Sequence, residues 1–101
     1  MPLDALSQLD PIIHSKVRLA VMSILVSVKD SSFSYLKKTI GTTDGNLSVS
    51  LAKLEEVGYI NIKKSFQGKK PLTTCQVTAE GKKAFARHVK ALESLIQRSR
   101  V

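Results

Sequence analysis

Apolar residues return every three or four positions through Val17, Ala20, Val21, Ile24, Leu25 and Val28, which predicts an amphipathic helix from Ser15 to about Lys29. Ahead of it, Leu3, Leu6 and Leu9 have helical spacing in a short arm that ends at Asp10-Pro11, an N-cap residue followed by a first-turn proline. Asp30-Ser31-Ser32 interrupts the pattern. Phe33, Leu36 and Ile40 then predict a short helix, capped by Ser32 or Ser34 and stopped by Gly41. Two turns of helix are not stable alone, so this segment has to pack on its neighbours. Only Gly41-Thr42-Thr43 separates it from a third helix, capped by Thr43, with Leu47, Leu51, Leu54 and Val57 on one face and a left-handed Gly58 at its end.

After Gly58 the hydrophobic period changes from 3.6 to 2. Ile60, Ile62 and Phe66 alternate with polar residues, Gln67-Gly68-Lys69-Lys70-Pro71 carries turn chemistry, and Thr73, Cys75 and Val77 alternate again. This predicts a β-hairpin. Thr78 can cap a last helix from Ala79 to about Arg98, with Phe85, Val89, Leu92 and Ile96 on one stripe and His88 and Leu95 at its border. The expected fold is therefore mostly α with a small β-hairpin. Two helices joined by a Gly-containing turn have the arrangement of a helix-turn-helix, although an ordinary αα-hairpin would share that spacing. A length of 101 residues with no repeat or linker gives one domain.

Charge changes the picture more than overall composition does. The chain is 43% hydrophobic and 24% charged, with a net charge of +8. Acidic and basic residues cancel as far as Gly58; from Tyr59 onward ten Lys or Arg face only Glu80 and Glu93, so the whole excess lies there. Such concentration points to a polyanion, nucleic acid before an acidic membrane. The single Cys75 cannot form an internal disulfide and suits a reducing compartment, and neither a bilayer-spanning run nor a signal-peptide pattern is visible, so a cytoplasmic location is expected.

The third helix has an unusual first turn, Asp44-Gly45-Asn46, of poor helix formers. Leu51 and Leu54 lie within about 40° of Leu47 on a helical wheel, leaving Thr42, Thr43, Gly45, Asn46, Ser48 and Val49 for an outward face. That face suits a helix entering the major groove. Asn can pair with adenine, Ser and Thr reach base edges or phosphates, Val can touch a thymine methyl, and Gly permits close approach by the DNA backbone. A merely loose helix start is the bland alternative. In the hairpin, Lys63, Lys64, Lys69 and Lys70 can grip phosphates flanking a groove, or simply keep a strand edge solvated. The last helix carries more apolar surface than its own small core requires, which favours a two-fold partner.

Catalytic and metal chemistry find no support in the pattern. His14 and His88 lack metal-ligand spacing, and no phosphate loop, nucleophile elbow or carboxylate pair appears, so neither an enzyme nor a cofactor is expected.

The stretches HSKVRLAVMSIL, GNLSVSLAKLEEVGYI and TTCQVTAEGKKAF together resemble the winged helix-turn-helix transcription regulators, particularly the small MarR-like and ArsR-like proteins, over roughly His14 to Ala86. The resemblance implies a winged helix-turn-helix with an extra long C-terminal dimerisation helix: an arm at 1–14, helix-turn-helix and wing at 15–78, and the dimerisation helix at 79–101. It implies a homodimer on double-stranded DNA, with the helix at 44–57 in the major groove and the hairpin at 60–77 as the wing. By position, Asn46, Ser48, Val49 and Lys53 become groove candidates and Lys69 and Lys70 wing contacts; Thr42, Thr43, Asp44, Gly45, Lys63 and Lys64 complete the candidate DNA-binding residues read from the sequence itself. Leu3, Leu6, Phe85, His88, Val89, Leu92, Leu95 and Ile96 become the dimer candidates. The wing carries Lys where many relatives use Arg, and the paired cysteines of metal-sensing members are missing. No small-molecule effector can be named. The competing reading is a winged-helix module that docks another protein; a membrane-surface binder fits less well, because basic and apolar residues do not share one helix as that role requires.

Overall fold

The computed structural model describes residues 6–99, so Leu3 lies outside the described residues. Seven elements follow in order: α1 (Lys16–Leu25), β1 (Ser31–Ser32), α2 (Phe33–Ile40), α3 (Asp44–Glu56), β2 (Ile60–Gln67), β3 (Lys70–Val77) and α4 (Ala79–Ser99). A helical turn at residues 6–8 precedes them.

Asp10 caps a turn rather than a helix. Its Oδ1 accepts from the amides of Ile12 and Ile13 at 2.8 and 3.2 Å, and the chain then bends through 11–13 into α1. The guanidinium of Arg18 reaches back to the Ile12 carbonyl and secures that bend. α1 buries Val21, Met22 and Leu25 and stops there, four residues earlier than the periodicity predicts. The Ser27 amide and hydroxyl both bond the Ile24 carbonyl, at 3.1 and 2.8 Å, and tighten the last turn. The chain must leave the helix at this point because buried Ser31 pairs with Cys75 in the sheet.

The caps of α2, α3 and α4 are as the pattern predicts. Ser32 accepts from the Tyr35 amide, Thr43 from the Asn46 amide and Thr78 from the Gly81 amide, at 3.0 to 3.1 Å. Gly41 ends α2 at φ 76°, a left-handed conformation that glycine adopts without steric cost.

The sheet is antiparallel in the order β1-β3-β2. Directly paired residues share a face, so Ile60, Ile62, Cys75 and Val77 form one apolar patch. The core consists of that patch with Ile13, Leu36, Leu47, Leu51, Leu54 and Ala84 and the buried residues of α1. Phe66 departs from expectation. It keeps the alternation of β2 but is 72% exposed, because β2 and β3 run past the helices that cover their roots.

α4 crosses the root of the hairpin at Gly81, where a Cβ would lie 2.9 Å from both the Tyr59 carbonyl carbon and the Val77 Cγ2. Its buried side is Ala84, His88 and Ala91, rotated from the predicted stripe; Phe85, Val89, Leu92 and Leu95 are half-buried and Ile96 is 52% exposed. The radius of gyration is 15.0 Å. A compact chain of this length would have about 13 Å, and the excess reflects the wing and the outer turns of α4.

Candidate nucleic-acid interface

α2, the turn and α3 set the geometry of the interface. Gly41 bonds back to Lys37 at 2.9 Å and turns the chain sharply, so that Thr43 can cap α3. Leu47, Ser50, Leu51 and Leu54 face inward, and Gly45, Asn46, Ser48, Val49 and Ala52 face outward, with Val49 69% exposed. The outer surface at the helix N-terminus is thus small, polar and accessible, apart from one apolar side chain. Thr42 is half-buried in the turn. Asp44 is paired with Lys37 at 2.8 Å, which offsets a negative charge beside the first-turn amides. Lys53 lies 3.9 Å from Glu56, a long exposed pair of little energetic weight.

Gly68 has φ 65° and begins a two-residue turn between β2 and β3. Register then sorts the wing lysines by face. Lys64 pairs with Thr73 and shares the face of Ile62 and Cys75, whereas Lys63 pairs with Thr74 on the opposite face, with Lys70 and Gln67. A groove of about 530 Å³ runs between α3 and the wing, and Ser48, Ala52 and Glu55 line it from the helix, Ile62, Lys64 and Thr73 from the strands. Of the predicted contacts, Ser48 and Lys64 therefore meet in one groove, while Lys63 faces away and Lys69 and Lys70 stand exposed at the tip.

Glu55 was not singled out by sequence reasoning. Its carboxylate accepts from the Ile62 amide at 3.2 Å, on the free edge of β2, and ties the helix to the wing. A carboxylate on one element bonding a backbone amide seven positions later leaves no periodic trace.

His88 requires a correction. The last helix is rotated so that this side chain is fully buried within its own chain rather than at the border of a dimer stripe. Its Nδ1 accepts from the Asp10 amide at 3.0 Å, and its Nε2 lies 3.4 Å from the His14 Nδ1. An acceptor at Nδ1 assigns a neutral imidazole with its proton on Nε2, directed at His14. Burial, and secondarily His14, lower its pKa below the usual value of 6.5. The other Asp10 oxygen accepts from the Tyr59 hydroxyl at 2.6 Å. Burial, with that carboxylate next, pushes the Tyr59 phenol up to about 12. Burial also raises the Cys75 thiol to about 11, which makes it a core residue rather than a reactive one.

Among the described residues, no helix is long and apolar enough to cross a membrane. A helix-turn-helix followed by a two-stranded wing on a small antiparallel sheet defines a winged helix-turn-helix protein. The chain belongs to the winged helix DNA-binding domain family, whose model matches residues 17–96. It is 36% identical to an uncharacterized protein of Methanocaldococcus jannaschii over 78 residues, 77% of this chain and 85% of that one. Among solved structures, a transcriptional regulator homologue protein from Pyrococcus horikoshii superposes with a TM-score of 0.82 at 27% identity, covering 89% of each chain. A MarR-family transcriptional regulator from Silicibacter pomeroyi shares the fold at a TM-score of 0.68 and 13% identity, over 97% of this chain and 65% of that one.

Proposed function

We propose that this protein is a sequence-specific regulator of transcription that binds double-stranded DNA as a homodimer. α3 enters the major groove through Asn46, Ser48 and Val49, and the wing holds the flanking backbone through its lysines. The observation that carries this reading is the common groove of Ser48 and Lys64, which turns the polar face of α3 and one lysine of the wing toward the same ligand. A duplex is the polyanion that offers a groove for a helix and phosphates on either side of it. The Pyrococcus horikoshii protein, a transcriptional regulator homologue by its title, supports the regulatory role.

Dimerisation draws support from α4. Phe85, Val89, Leu92 and Leu95 keep partial exposure on a helix of 21 residues, and Leu6 is 50% exposed in the preceding arm. A two-fold axis along this face would pair two copies of α3 with half-sites about 34 Å apart.

The test is selection of bound duplexes from a random pool, followed by sedimentation of the selected complex. Enrichment of a palindrome and a mass of two chains per duplex are expected. Failure to retain any duplex at low salt would replace this reading with a protein-docking role for the same fold.

A further inference from the structure

Phe66 is more exposed, at 72%, than any other large apolar side chain among the described residues. Leaving such a ring in water forgoes a substantial burial energy. Its position is also defined. Pairing with Pro71 fixes it on the face of β2 that carries Ile62 and Lys64, and this face lines the groove against α3. Phe66 therefore extends the groove wall two residues beyond Lys64, about 7 Å further out. Lys64, Lys69 and Lys70 surround it in sequence, and Pro71 opposite offers no amide hydrogen that would attract water or another strand.

An aromatic ring two residues beyond Lys64 on the side of the wing that faces the reading helix, with Lys69 in the adjoining turn, matches a polyanion with an apolar interior. Duplex DNA has that character, since base edges and sugar faces lie between two rows of phosphates. We propose that Phe66 is an apolar wedge of the wing: with α3 in the major groove, its ring enters the adjacent minor groove, half a helical repeat or about five base pairs away, and presses against a base step. The inference rests on the DNA-binding reading above and adds to it a residue that removes no charge when mutated. Lys69 and Lys70 supply attraction that is blind to sequence, whereas Phe66 favours flanking steps that unstack easily, pyrimidine–purine steps above all.

The test compares the full-length protein with Phe66→Ala on a selected duplex carrying 2-aminopurine at successive positions flanking the major-groove site. Wild type should raise 2-aminopurine fluorescence at one flanking step. Phe66→Ala should abolish that rise and weaken binding about ten-fold or more, with the dependence on salt unchanged because no ion pair is lost. Its melting temperature should match wild type, since the ring is exposed, so lost binding cannot be ascribed to unfolding. Phe66→Leu should recover part of the affinity. Equal affinity and equal fluorescence for wild type and Phe66→Ala would overturn the wedge and leave the DNA-binding reading intact. A changed salt slope in Phe66→Ala, or a smaller oligomer with unchanged DNA binding, would overturn it as well. Absence of duplex binding by wild type would instead refute the underlying functional reading.

Discussion

Gly45→Ala separates the two explanations of the weak first turn of α3. Gly45 is the second helical residue, and an added Cβ meets nothing within 4 Å. For the isolated protein the change is therefore a pure gain in helix propensity. An interior glycine costs about 0.8–1.0 kcal/mol relative to alanine; near a helix end roughly half of that applies, about 0.5 kcal/mol, or about 2–4 °C in melting temperature for a domain of this size. The DNA-bound state behaves oppositely if the space beside Gly45 is where the sugar-phosphate backbone comes to rest. A methyl group inserted into a packed contact costs about 1–3 kcal/mol, which is roughly 5- to 150-fold in affinity.

Thermal melts and fluorescence anisotropy on a selected duplex measure the two effects separately. The expected variant is more stable and binds more weakly. Unchanged affinity would refute the close approach and leave the turn as a loose helix start with no further task. Gly81→Ala is the control of opposite sign. There the same methyl collides with the Tyr59 carbonyl and the Val77 side chain at the wing root and threatens the 3.0 Å bond from the Thr78 amide to Tyr59. Overpacking of about 1–3 kcal/mol and a weakened hydrogen bond of about 1 kcal/mol outweigh a propensity gain of about 0.5 kcal/mol in this first helical turn, so net destabilisation of about 1.5–3.5 kcal/mol should appear in urea unfolding.

Replacing Lys69 and Lys70 together by Ala should weaken binding to all duplexes alike and reduce the slope of log K against log salt by up to about 1.8; an unchanged slope would remove these lysines from the contact. His88 is held neutral with its folded pKa below 6.5, so above pH 6.5 it contributes no pH dependence; as pH falls from there toward the folded value, the unfolded chain takes up the proton first and stability declines. Urea unfolding between pH 7.5 and 5.5 should show this decline in wild type and a shallower one in His88→Gln. Cys75, fully buried and with its thiol raised to about 11, should resist a thiol reagent at pH 8 in the native protein and react once denaturant unfolds it.

Local chemistry was readable from the chain, and long-range pairing was not. Ser32, Thr43 and Thr78 act on amides three residues away, and Gly41 and Gly58 mark ends by their own conformation, so each cap is contained in a few adjacent letters. β1 could not be read. Ser31 and Ser32 have no strand character, and they are extended only because Cys75 and Thr74 lie opposite. Phe66 and His88 failed for related reasons. Alternation in β2 continues beyond the part of the sheet that helices cover, so the pattern alone could not distinguish a core phenylalanine from an exposed one. The phase of α4 is set by Gly81 lying against Tyr59, which brings small Ala84 and Ala91 inward with His88 and turns the larger apolar residues partly outward. On α3 the outward residues were legible because the leucine spacing fixes the inner face and leaves the other by exclusion. The bond from Glu55 to the wing was not.

Asp10 joins the parts whose relative placement would set the geometry of the two-fold DNA reader proposed above. Its Oδ1 secures the turn into α1, its Oδ2 holds the Tyr59 hydroxyl at the wing root, and its amide bonds His88 on α4. Glu55 fixes the wing to α3 from the other side. Burial alone would raise the Asp10 pKa, but the Tyr59 hydroxyl, the two turn amides and His88 together bring it below the ordinary carboxylate value, so the junction stays charged and closed at neutral pH. If α4 supplies the two-fold contact proposed above, the distance between the two copies of α3 follows from the angle at which Asp10 sets α4 against the wing root. A change at Asp10 would then alter the preferred half-site spacing, whereas changes at Asn46 or Ser48 would alter the bases read within each half-site and leave the spacing unchanged.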